Sequence, residues 1–130
     1  MTPIVNNYAA AATLNLSGSE GLVAYAPAGG AYGVRRATAA TQEPIGVIVS
    51  ADNSSGGNVG IAELGQVKCY AGATFTPTTT RFVMASPSGR LIPFTGLSTN
   101  YCVGKLVFNA AVASGDIIDV IVNPCFISSN

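Results

Sequence analysis

Apolar and polar positions alternate with a period of two through the middle of the chain, from Pro44 to Gly72. Ile45, Val47 and Val49 interleave with Gly46, Ile48 and Ser50, then Val59 and Ile61 with Gly60 and Ala62. Val67, Cys69 and Ala71 interleave with Gln66, Lys68 and Tyr70. Such a period puts successive side chains on opposite faces of an extended backbone, so three strands are predicted. Asp, Asn, Ser and Gly at 52–58 separate the first two, and Gly65 alone separates the second and third. The 52–58 loop is too long for a two-residue hairpin and should project from the sheet. Gly65 is expected to form a single-residue turn, where a positive φ is cheapest for glycine.

The flanking sequence continues the pattern. GLVAYA at 21–26 and YGVRRAT at 32–38 read as strands joined by the turn PAGGA at 27–31. Residues 74–80, TFTPTTT, are a proline-interrupted connection. Strands at 81–85 and 90–94 flank the SPSG turn at 86–89, and further strands follow at 101–108 and 117–123. In the last of these, Ile118, Val120 and Val122 give one apolar face. Asp119 lies between Ile117 and Ile121 on the other, which should be only partly buried. With about nine or ten short strands and closely spaced turns, the fold class is all-β, a small single-domain β-sandwich or barrel.

The first nineteen residues differ from the rest in carrying no charge; Glu20 is the first ionisable side chain. The alanine run at 9–12 is too short for a helix that stands alone in water. Two readings remain open. In one, residues 1–20 form an extended N-terminal arm that orders on a partner, ahead of a β domain at 21–130. In the other, the same segment is an edge strand on its own domain. The arm reading assigns partner binding to Pro3, Ile4, Val5 and Tyr8 as an apolar front. Thr13, Leu14 and Leu16 would pair by backbone hydrogen bonds with a partner's sheet edge.

Composition narrows the function. Apolar residues make up 48% of the chain but charged residues only 9%, with six basic and six acidic side chains. Only Arg35 and Arg36 are adjacent cations, so a nucleic-acid partner is not expected. No apolar run approaches the length of a membrane span and no signal peptide is recognised, so a soluble protein made in a cytosol is expected. The absence of histidine removes Ser-His-Asp and Cys-His chemistry. Asp116 and Asp119 fall on opposite faces of a strand, and Glu43, Asp52 and Glu63 read as solvated surface acids. The glycine-rich 54–60 segment lacks the Lys-Ser/Thr of a phosphate loop. Cys69, Cys102 and Cys125 are too dispersed for a zinc site and read as reduced, packed thiols. No catalytic residue, metal or cofactor is expected; a structural or binding protein is.

The order of short motifs then becomes informative. IGVIV at 45–49 is followed by GQVKCYAG at 65–72, SGRLIP at 88–93, VGKL at 103–106 and ASGDIIDVIV at 113–122. This series resembles the capsid cement (decoration) proteins of tailed bacteriophages over roughly residues 21–123. Where that family often has Gly-Asp before the strand at 82–85, this chain has Thr80–Arg81. The resemblance implies a β domain on the outer surface of an icosahedral head, assembled in the host bacterial cytoplasm. It also implies a homotrimer that clamps neighbouring copies of the major capsid protein against the pressure of packaged DNA. The alternative is a carbohydrate- or receptor-binding module of head-fibre or lectin type, although a sugar-stacking platform would favour tryptophan and the chain has none.

Overall fold

The computed structural model describes residues 3–12, 14–27, 33–76, 81–95, 99–108 and 110–126. Among them are nine strands and no helix: β1 (Ile4–Ala9), β2 (Val23–Tyr25), β3 (Arg35–Arg36), β4 (Pro44–Ala51), β5 (Asn58–Tyr70), β6 (Phe82–Ala85), β7 (Leu91–Pro93), β8 (Tyr101–Leu106) and β9 (Ile117–Phe126). All ladder pairings between strands are antiparallel, in the order β3-β2-β4-β5-β9-β8-β6-β7, with β1 also on β5. The sheet curls on itself into a half-barrel, as the all-β expectation requires.

Curling lets one sheet enclose two apolar clusters. The larger gathers Val23, Val47, Cys69, Val83, Leu91, Val103, Val120 and Val122 from β2, β4, β5, β6, β7, β8 and β9. The smaller lies behind β2, β4 and the first half of β5 and contains Ala24, Ile48, Val59 and Ile61, covered by Ala10, Leu16 and Val34. Adjacent residues thus divide between clusters, Val23 from Ala24 and Val47 from Ile48, as strand alternation dictates.

Strand β5 joins the two. The predicted turn at Gly65 is absent: β5 runs unbroken for 13 residues. Gly65 has a φ of +105° and bends the strand instead. Before it, residues 58–64 pair with β1 and residues 59–62 with β4; from Gly65 onward the strand pairs with β9. Val59 and Ile61 point to the small cluster, whereas Val67, Cys69 and Ala71 point to the large one. Since all five are odd-numbered, the bend changes which core that face of β5 addresses. A side chain at 65 would also meet Pro3, whose Cα would lie 2.7 Å from the added Cβ.

The N-terminal segment takes the second of its two readings. Ile4–Ala9 is a strand on β5, with Asn6 opposite Ile61 and Tyr8 opposite Val59. It continues as Ala10 and Ala11, which are 2% and 1% exposed and bridge to Val34. Leu14 accepts a backbone hydrogen bond from Gly56, and Leu16 is 5% exposed in the small cluster. Contacts therefore cross the expected boundary between 1–20 and 21–130 at many points. The reason is physical: a charge-free segment with an alanine run and Leu16 covers the open face of β2, β4 and β5 as readily as it would cover a partner.

Candidate functional site

The residues assigned to partner binding do not form one surface. Ile4 and Val5 are 55% and 43% exposed at the start of β1, and Leu64, 45% exposed, stands opposite Ile4 in register. These three form an exposed apolar surface where β1 meets β5. Pro3 is beside them, half-buried against Gly65. Tyr8 faces the other side of β1, packed on the small cluster, and its hydroxyl donates to Glu63 Oε2 at 2.9 Å. Asn6 Nδ2 donates to the same oxygen. Burial, then the hydrogen bond and charge of Glu63, hold the Tyr8 phenol above its ordinary pKa. Leu14 is half-buried, and the Leu16 side chain packs in the small cluster. Thr13 lies outside the described residues.

A second apolar surface lies on the outer face of β5 and β9. Tyr70 and Ile117 are opposite one another in register and are 37% and 63% exposed. Phe108, 62% exposed, shares with Ile117 a depression of about 180 Å³ also lined by Leu106 and Val112. Lys68 and Asp119 are the next pair along, joined at 3.1 Å. With Lys68 largely in water that ion pair adds little stability, but it sets a polar border on the apolar surface. The exposed Ile117 follows the expectation that the face carrying Asp119 is only partly buried. Leu64, Tyr70 and Phe108 were not singled out by sequence, since one exposed apolar residue in a strand is ordinary. Their grouping depends on pairings between distant strands.

Among the described residues, no three His, Cys, Asp or Glu side chains gather as a metal site. Cys69 and Cys102 are each 1% exposed. Burial, with a smaller contribution from Asp119, pushes the Cys69 thiol up to about 12. This is an inert packed thiol and not a nucleophile. Cys125 is described by its backbone alone, opposite Cys102 in the β8–β9 register. Among the described residues the arrangement presents exposed apolar surfaces and no assembled reactive group.

Comparison with known proteins bears on the fold. No family model and no curated protein matches the chain. Among solved structures, the chain is similar to the N base of the head fibre gp8.5 of bacteriophage phi29. The TM-score is 0.63 with 18% sequence identity, over 92% of this chain and 95% of that one. The shared property is the curled β fold.

Proposed function

We propose that this chain is a structural protein of a tailed-bacteriophage head, bound to the outside of the capsid. The observation that carries the reading is the near end-to-end fold likeness to a head-fibre base. The motif order from IGVIV to ASGDIIDVIV points independently toward head-surface proteins, and the low charge suits a chain that works inside an assembly.

Within that class the chain acts as a cement, or decoration, protein. It docks as a homotrimer and clamps adjacent major capsid subunits through the Ile4–Val5–Leu64 and Tyr70–Ile117–Phe108 surfaces. Exposed apolar groups of this kind are costly on a solitary protein and useful on a docked one. The second reading is that it forms the base of a head fibre whose outer part recognises a host surface, and the fold likeness favours it specifically. Both readings place an apolar surface against the capsid. They differ in whether the particle or the host contact depends on the chain.

Mass spectrometry of purified virions of the encoding phage should find the protein in many copies per head. Particles grown without it should take it up again from solution, and sedimentation of the free protein should show a trimer. A virion preparation without the protein, or particles that do not rebind it, overturns the proposal. Particles that withstand chelation and heating equally with and without it remove the clamping role and leave the fibre base.

A further inference from the structure

Arg35 and Arg36 are the chain's only adjacent cations, and both line one open cleft of about 340 Å³. They make up β3, the terminal strand of the sheet order, so the cleft lies at a sheet edge. Tyr25 holds Arg35 in register from β2, and Arg36 lies over Gly89, its Cγ 2.9 Å from where a Cβ there would stand. The remaining polar lining, Asn15, Ser19, Tyr25 and Thr38, is neutral, and no carboxylate among the described residues lines the cleft. Among the described residues neither guanidinium has an ion-pair or hydrogen-bond partner. Arg35 is half-buried, where an uncompensated charge is more costly than in open water.

We propose that this cleft binds a carboxylate-bearing segment of the protein on which the chain docks. Two arginines lining one space suit Asp or Glu side chains, each of which accepts two parallel N–H bonds from an arginine. Arg90 follows Gly89 and so lies near Arg36, but neither it nor Lys68, Arg81 or Lys105 lines the cleft, which leaves the arginine pair without the run of cations that tracking a phosphate backbone needs. An acidic protein loop is therefore favoured over nucleic acid. The identity of the acidic partner as capsid rests on the proposed function; the acidic specificity of the cleft does not.

The test uses the full chain, labelled for NMR, with a blocked tetra-aspartate peptide and a single-stranded DNA oligonucleotide as probes. The peptide should give saturable shifts at Ser19 and at residues 35–38. They should weaken about tenfold in the R35A/R36A double variant and persist in R35K/R36K, which keeps the charge if the alanine variant misfolds. Tighter binding of the DNA, or no saturable shift in the cleft, overturns the inference. In parallel, wild type and R35A/R36A are bound to phage particles lacking the protein. Wild type binding with the variant lost supports the inference, and equal binding of both overturns it. Failure of wild type to bind overturns the docking reading while the peptide result still decides the cleft.

Discussion

Leu16→Ala separates a segment that belongs to the core from one held ready for a partner. Leu16 is 5% exposed and packs with Ile48, Val59 and Ile61 in the small cluster. Truncating a buried leucine removes its transfer free energy and leaves a cavity, together about 2–5 kcal/mol. Leu16 also forms part of the wall of the open cleft beside β3, so water and neighbouring side chains can enter the space. The cost should therefore fall in the lower half of that range, about 2–3 kcal/mol. For a chain of this size 1 kcal/mol corresponds to roughly 3–5 °C, which gives a fall in Tm of about 6–15 °C. Ile4→Ala is the matched control, since Ile4 is 55% exposed and its loss should change stability by no more than about 0.5 kcal/mol. Thermal melts of the three proteins followed by circular dichroism, with urea titrations to check that the m-value is unchanged, give the comparison. Removing residues 1–19 altogether should destabilise more than Leu16→Ala, because β1 and the Ala10–Ala11 cover go with it. If Leu16→Ala melts within about 2 °C of wild type, the segment is not core and the arm reading returns.

Gly65→Ala should cost about 2–4 kcal/mol, from the positive φ and the contact with Pro3, read in the same melts; removing residues 1–3 should recover the contact part alone. The Cys69 thiol should resist labelling in the native protein at pH 8 and react after unfolding. Its folded pKa of about 12 lies above the ordinary 9.0, so its contribution is intact below pH 9 and is lost as pH rises toward 12. Urea titrations across that window should show the fall, and Cys69→Ser should remove this component. Ile117→Asp, and separately Leu64→Asp, should leave Tm nearly unchanged yet abolish uptake by particles lacking the protein, measured by co-sedimentation; full uptake by both variants would remove the apolar surfaces from the docking account.

The alternations at 45–50, 59–62, 67–70 and 117–122 were legible as strands. At 67–70 and 117–122 burial itself has period two, whereas at 47–48 and 59–62 both faces are buried and the β-branched residues carried the pattern. Gly65 was not legible as a bend, since a glycine between two alternating runs fits a turn or a kink. Val59, Ile61, Val67, Cys69 and Ala71 share one odd-numbered phase, as one continuous strand keeps, although Ala62 and Leu64 fall on the other. The N-terminal segment could not be placed from composition: a charge-free run suits its own sheet and a partner's equally. What decides is the register of Asn6 and Tyr8 on Ile61 and Val59, a pairing between distant residues that local pattern does not encode. The arginine pair was visible, but the neutral cleft around it depends on β2, β3 and residues 14–19 coming together.

The position of β9 also governs the order in which the chain can fold. β9 lies between β5 and β8, and its partner residues on β5 are distant in sequence, Asp119 and Lys68 being 51 residues apart. β1 waits in the same way for β5, with Asn6 and Glu63 separated by 57 positions. Pairings of this span close long loops before they return any burial, which slows folding. Until β9 arrives, the second half of β5 and the inner side of β8 both present open hydrogen-bonding edges to other copies of the chain. Its insertion closes both in one step, so a nascent chain is most prone to stick to its neighbours in the interval before that strand is in place.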